Sequence, residues 1–223
     1  MSTVQQPNAI RILIVDDHAI FRQGLKLLLQ RERDLAILAE AANAEQALGL
    51  AAREQPDIIL LDADLDGVDS LDILESLQAS APDSRIIVLT GLRTPELQGR
   101  ALRLGARGFI AKEQSGELVV RAIRKVREGE LWFDRSTVGA AVTRLLHGKS
   151  DESASVTALA PRELDIVRLV GEGLRNDAIA DRLSLSEKTV RNQLTVIFEK
   201  VGVRDRLHLA IYAYRRGIAK LPL

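Results

Sequence analysis

The sequence predicts an α/β domain built on a five-stranded, parallel, doubly wound sheet, followed by a small all-α domain of four helices. Three observations predict it. Five short apolar runs recur between Ile10 and Ala111, each followed by a longer stretch of helical period. From Ala160 onward only helical periodicity and helix-stop signals remain. Between the two lies a stretch rich in Gly, Ser and charge, His147 to Thr157, of the composition that makes linkers.

The strand candidates are Ile10–Val15, Leu35–Leu38, Ile58–Leu61, Arg85–Leu89 and Gly108–Ala111. Runs this short, bounded by Pro, Asp or Gly, fit strands buried on both faces. Helical segments follow them, carried by Ile20, Leu25, Leu28 and Leu29 after the first run and by Leu71, Leu74 and Leu77 after the third. After the fifth run the apolar positions are Leu118, Val119, Ala122, Ile123 and Val126. Regular alternation of strand and helix predicts parallel pairing with helices on both faces of the sheet. Sites in such sheets lie beyond the carboxyl ends of the strands, at the point where strand order reverses.

That rule selects residues. The first run ends at Asp16 and Asp17, the third at Asp62, the fourth at Thr90 and the fifth at Lys112. Carboxylates brought this close raise one another's pKa values, so they call for water or a cation. The set suits a hard divalent cation beside a carboxylate that can accept a phosphoryl group, with Lys112 opposing phosphoryl oxygens and Thr90 donating to one. The stretch PDIILLDADLDG from Pro56 to Gly67 adds Asp64 and Asp66, with Asp69 just beyond. Its D-x-D-x-D-G pattern also opens a calcium loop, but the twelfth position is Ile73 where that loop needs Glu, and a strand precedes it where a helix should stand. His18 opens the following helix, and a local polar contact is a simpler reading of it than metal ligation.

Composition bounds the function classes. Basic and acidic residues balance, 31 against 31. Residues 1–150 hold 19 Lys and Arg against 21 Asp and Glu, whereas residues 157–223 hold 12 against 8, so the charge is −2 in front and +4 behind. An acidic site followed by a basic face points to a cation and then to nucleic acid. The absence of Cys excludes disulfides and thiolate metal centres and fits a reducing, cytoplasmic setting. No apolar run approaches the length of a membrane span, so no membrane partner is expected. The start, MSTVQQPNAI, reads as a loose tail over residues 1–9 and not as a signal peptide.

Residues 10–128 resemble a bacterial two-component receiver domain, through IRILIVDDH, PDIILLD, VLTG and GFIAK in that order. The resemblance implies Asp62 as phosphoacceptor and a Mg²⁺ (or Mn²⁺) site made by Asp16, Asp17, Asp62 and the backbone carbonyl of Asp64. It further implies Thr90 as switch hydroxyl, Lys112 as the paired ammonium and Phe109 as switch aromatic. Two positions depart from the family pattern. Asp66 stands where Pro is usual, which removes a fixed φ, and Ser70 stands where Gly is usual.

Residues 129–156 form the expected linker, with a helix-like AAVTRLL before the mobile stretch. Trp132 and Phe133 are expected to pack at the end of the first domain, since large aromatics prefer burial.

In residues 157–223, Pro161 suits the first position of a helix that Gly171 and Gly173 stop. Asn176 is expected to cap a second helix through Leu183, and Ser186 a third through about Lys200. The short turn Ser184 to Ser186 makes a helix-turn-helix. A fourth helix runs from about Arg206 to Arg216. Along the third, Val190, Leu194, Ile197, Phe198 and Val201 recur at helical spacing and face the core, leaving Lys188, Arg191, Asn192, Thr195 and Lys200 outward. Arg and Asn can read base edges and Lys can bind phosphate in a major groove.

Residues 158–220 resemble the LuxR-type helix-turn-helix domain of the NarL/FixJ response regulators, through PRELDIVRLVGEGLRNDAIADRLSLSEKTVRNQLTVIFEKVGVRDR. The resemblance implies Arg191, Asn192 and Thr195 as base readers, Lys188, Thr189 and Lys200 on phosphates, and dimerisation through Leu207, Ala210 and Ile211 of the fourth helix. Ala160 replaces the usual Thr cap and Gln193 a common His. The implied protein is a cytoplasmic response regulator, not an enzyme, that takes phosphoryl from a sensor histidine kinase and binds promoter DNA as a homodimer, with RNA polymerase a further candidate partner. A regulator indifferent to phosphorylation, its receiver used for dimerisation or ligand sensing, and a phosphatase of similar sheet topology are the alternatives.

Overall fold

The computed structural model describes residues 9–65, 67–92, 94–134, 136–139 and 159–219. Asp66, the tail 1–8 and the AAVTRLL and His147–Thr157 stretches of the expected linker lie outside them. The chain divides into two compact units, 1–127 and 128–223.

The first unit carries five parallel strands in the order β2-β1-β3-β6-β7. They are β1 (Ile10–Val15), β2 (Leu35–Ala41), β3 (Ile58–Asp62), β6 (Arg85–Thr90) and β7 (Gly108–Ala111). The helices are α1 (Ala19–Leu29), α2 (Ala44–Glu54), α3 (Leu74–Ser80), α4 (Pro95–Arg103) and α5 (Gly116–Arg127). β1 and β3 pair in register Ile12↔Ile58 through Val15↔Leu61, and Ile12–Val15 and Ile58–Leu61 are wholly buried. Those apolar runs are therefore the sheet's centre, and the order reverses between β1 and β3, where Asp16 and Asp62 emerge. β2 runs three residues beyond its apolar run, because an edge strand needs burial on fewer sides.

Between β3 and α3 the chain forms a small antiparallel hairpin, β4 (Asp64–Leu65) with β5 (Val68–Asp69), and then a 3₁₀ turn at Ser70–Ile73. Gly67 has φ +76, the left-handed region that favours glycine. Leu65 of β4 is buried. Ile20 departs from the expected inward stripe of α1, being 91% exposed.

The second unit contains α6 (Pro161–Gly171), α7 (Asn176–Leu183), α8 (Glu187–Val201) and α9 (Arg206–Arg215). Its apolar centre is Ile166, Val167, Val170, Ile179, Val190, Leu194, Ile197 and Leu209. Phe198, expected in the core, is only half-buried. Trp132 and Phe133 are buried, and they belong to this unit instead of the end of the first. The guanidinium of Arg175 lies 3.9 Å above the Trp132 ring, so a cation–π contact recruits the tryptophan to α7's start.

Candidate functional site

The strand ends build the acidic site. Asp16 is wholly buried and Asp62 is 2% exposed. Lys112, following β7, places Nζ 2.7 Å from Asp16 Oδ2 and 2.6 Å from Asp62 Oδ2, and 4.6 Å over the Phe21 ring. Its backbone N–H donates to Thr90 O at 2.7 Å, which fixes the lysine to the end of β6. Burial pushes the Asp62 carboxyl above the usual carboxylate range; the Lys112 hydrogen bond opposes this and the charge of Asp16 adds to it. Burial acts to lower the Lys112 ammonium, but its hydrogen bonds to Asp16 and Asp62 outweigh that and raise it. A charged carboxylate–ammonium cluster under the sheet's edge is the result.

Asp17, less buried, sits at the rim. Arg22 of α1 donates from Nη1 to the carbonyls of Asp16 at 2.5 Å and Asp17 at 3.2 Å, bracing the acidic turn from behind. The His18 N–H donates to Asp16 Oδ1 at 2.8 Å, and its Nδ1 stands 2.7 Å from Asp17 Oδ1. Asp16, Asp17, His18 and Asp62 offer ligand atoms all within 4.8 Å of one another. Three carboxylates converging so closely are a donor set suited to a hard divalent cation.

Of the other expected residues, Thr90 is buried beside the site, and its hydroxyl donates to Leu92 O at 2.9 Å while accepting from Leu92 N–H at 3.0 Å. Phe109 is buried on β7. The Asp64 N–H reaches Asp62 Oδ1 at 3.4 Å.

Two features were beyond sequence reasoning. Ser70 is buried and donates its hydroxyl to the Asp62 carbonyl, so the residue in the usual glycine position ties down the acceptor's backbone. Asp69 caps the 3₁₀ turn, accepting from Leu71 N–H at 2.9 Å, and pairs with Arg100 of α4. Arg100 also meets Asp72 at 2.5 Å, so one arginine joins the acceptor loop to α4. Polar residues seven and eight positions past the acceptor are the signal the sequence offers for them.

In the second unit, α7, a turn with Ser184 at φ 52, and α8 form the helix-turn-helix. Ser186 caps α8 as expected, accepting from Thr189 N–H at 3.1 Å. Asn176 does not cap α7; Arg175 holds that position, and Asn176 is buried with its Oδ1 accepting from Arg206 Nη1 at 2.9 Å. Burial pushes the Arg206 guanidinium down to about 10, against the opposing fields of Glu130 and Asp177. Ala160 offers no side-chain cap to α6, and Glu163 accepts from the Ala160 N–H at 2.8 Å as half of a capping pair.

Lys188, Asn192 and Thr195 are exposed along α8. Arg191 is held 2.7 Å from Glu128, the first residue of this unit. Thr189 shares its hydroxyl with Ser186 at 2.7 Å, and Lys200 is bound to Glu163 at 2.6 Å, tying α8 to α6. Leu207, Ala210 and Ile211 of α9 are all buried.

Comparison with known proteins agrees with both halves. Residues 12–124 match the response regulator receiver domain, and residues 157–213 match the bacterial regulatory proteins of the luxR family. The nitrate/nitrite response regulator protein NarL of Escherichia coli K12 is 31% identical over 207 residues, covering 93% of this chain and 96% of the relative. The transcriptional regulatory protein LiaR of Bacillus subtilis 168 is 31% identical over 209 residues, covering 94% and 99%. The crystal structure of a LuxR-family two-component response regulator from Aurantimonas sp. SI85-9A1 matches with a TM-score of 0.55 at 27% identity, covering 62% of this chain and 99% of that one. With a receiver whose strand ends gather Asp16, Asp17, Asp62, Thr90 and Lys112, and a luxR-type helix-turn-helix behind it, the chain belongs to the NarL/FixJ family of two-component response regulators.

Proposed function

We propose that this DNA-binding response regulator is switched by Mg²⁺-dependent transfer of a phosphoryl group from a sensor histidine kinase to Asp62. The observation that carries the proposal is the pairing of buried Asp62 with Lys112 at 2.6 Å beside Asp16 and Asp17. An Asp62 carboxylate oxygen attacks phosphorus while the donor's P–N bond breaks, its electron pair staying on the imidazole nitrogen. A divalent cation held by Asp16, Asp17, Asp62 and the Asp64 carbonyl supplies charge neutralisation for the phosphoryl oxygens. Lys112 stays paired with the product carboxyl and the new phosphoryl oxygens. Thr90 exchanges its Leu92 contacts for one of those oxygens, and Phe109 follows it.

The phosphorylated protein then binds promoter DNA as a homodimer, working in the cytoplasm with RNA polymerase. Arg191, Asn192 and Thr195 read base edges, and Lys188 with Thr189 and Lys200 engage phosphates. For Arg191 and Lys200 this means leaving Glu128 and Glu163. Dimerisation through Leu207, Ala210 and Ile211 requires that these residues, buried in the single chain, become accessible. We assign the receiver to residues 10–128 and the DNA-binding domain to 157–223, with 129–156 connecting them. Phosphotransfer from a phosphorylated kinase to the Asp62→Asn protein is expected to vanish; transfer at the wild-type rate and stoichiometry would overturn the assignment.

A further inference from the structure

Val196 stands outside the apolar stripe that α8 turns to the core. That stripe is Val190, Leu194, Ile197 and Val201, all buried, whereas Val196 is 45% exposed. Among the described residues of the second unit it is the single large apolar side chain so exposed. Helix stability does not account for it, because β-branched residues form helices less well than Ala, Lys or Glu. Its place does. Val196 lies four positions after Asn192, about 40° round the helix and about 6 Å along it, on the face where Lys188, Asn192 and Thr195 are exposed. Beside it the Thr195 hydroxyl donates to the Arg191 carbonyl at 3.3 Å, so its proton is committed within the helix. Positions 195 and 196 therefore bring no free donor to that face.

We infer that Val196 reads thymine, packing its methyl groups against the C5-methyl group of the base in the major groove, one turn beyond Asn192. The inference deepens the proposal that α8 reads DNA and rests on it. Of the four bases only thymine carries a methyl group on its major-groove edge, and apolar contact is how that group is recognised. A valine can neither bind phosphate nor hydrogen-bond a base edge, so on this face the methyl group is its favourable target. A step of about 6 Å along the helix is roughly two base-pair rises of 3.4 Å, which places the thymine one or two base pairs from the one that Asn192 contacts.

The test uses the full chain treated with a small phosphoryl donor and Mg²⁺, and the duplex that it selects from a random pool. Each thymine of that duplex is replaced in turn by deoxyuridine, which removes the methyl group and leaves base pairing intact. For the wild type, one thymine in each half-site is expected to lose about fourfold in affinity on replacement, the factor for burying one methyl group. Val196→Ala is expected to bind the thymine and deoxyuridine duplexes alike, with the affinity of the wild type for the deoxyuridine duplex, as a double-mutant cycle requires of two groups that touch. That retained affinity also shows the variant to be folded. If no thymine is sensitive in the wild type, or if Val196→Ala keeps the same sensitivity, the role of Val196 is overturned. Wild-type DNA affinity in Val196→Ala together with lost transcription by RNA polymerase would assign the residue to a protein contact and overturn it too. Arg191→Ala and Asn192→Ala both selecting the wild-type sequence with wild-type affinity would remove α8 from DNA reading, and the inference with it.

Discussion

Replacing Lys112 with Met keeps the apolar stem and removes the ammonium. In the wild type that ammonium stands 2.7 and 2.6 Å from two buried carboxylates, Asp16 and Asp62. Breaking a buried ion pair from one side costs about 3–5 kcal/mol, because the remaining charge is left uncompensated. The site opens to water past His18, which is 68% exposed, so the lower end applies, about 3 kcal/mol. With typical urea slopes of about 1–3 kcal/mol per M this is a fall of about 1–3 M in the midpoint of the first unit. Two signals keep the units separate. Far-UV circular dichroism follows the whole chain, and Trp132, the single tryptophan, reports the second unit, whose transition should not move. The pH dependence has a definite sign. Burial already holds the Asp62 carboxyl up and Lys112 opposes that, so the variant raises it further. A carboxyl whose folded pKa lies above its unfolded value contributes stability below the unfolded pKa that is lost as pH rises through the folded pKa. The deficit of the variant should therefore be full at neutral pH and shrink on acidification into the raised carboxylate range. Mg²⁺ should narrow it too, since loss of the competing ammonium tightens cation binding and a ligand at a hundred times its Kd stabilises by about 2.7 kcal/mol. An unchanged midpoint at neutral pH, or a deficit that grows with acid, would refute the reasoning.

Further outcomes follow from single contacts. Arg206→Met leaves Asn176 and the Leu174 carbonyl without their donor and Glu130 without its neighbouring cation, and should destabilise the second unit by about 3 kcal/mol, read as an earlier loss of the Trp132 signal. Glu128→Gln frees Arg191 and should tighten DNA binding of the unphosphorylated protein two- to fivefold at low salt, about 0.4–1 kcal/mol, with the gain fading as salt screens the pair. Equal footprints and affinities for Glu128→Gln and wild type would remove that contact from the switch. Ser70→Ala deletes the hydroxyl on the Asp62 carbonyl and should cost about 1 kcal/mol in the first unit, while Ser70→Gly at the same site should cost at least as much through backbone entropy. Urea midpoints of the two variants check the order.

What was legible in the sequence was the sheet and its chemistry. The apolar runs of β1, β3, β6 and β7 are buried almost throughout, so a strand with no room for polar residues must end where one appears, and Asp16, Asp62, Thr90 and Lys112 all stand at such ends. Short-range features beyond the strands were harder. An Asp-Gly pair is a turn signal in sequence, but the two-residue strands β4 and β5 carry no periodicity, and the carboxylates around them fit a metal loop equally well. Asn176 has the chemistry of a cap, yet its amide is taken by Arg206 thirty positions on, a tertiary partner that local preference cannot announce. Ile20 fits the apolar period of α1 and is nonetheless in solvent, which helical spacing alone does not reveal. Lys200 reads as an outward cation on its helix, and only the packing of α6 supplies Glu163 to it. Trp132 was expected on the nearer domain; the Arg175 guanidinium that attracts it lies in the other.

The central claim is that phosphoryl chemistry at Asp62 controls binding of DNA by α8. The most direct measurement is DNA affinity of the full chain with and without a small phosphoryl donor and Mg²⁺, beside Asp62→Asn under the same conditions. The account predicts that the donor and Mg²⁺ together tighten wild-type binding by about 5- to 150-fold, the range of ~1–3 kcal/mol of coupling, and leave Asp62→Asn unchanged. Equal wild-type affinity in both conditions, with the phosphoryl group present on the protein, would contradict it.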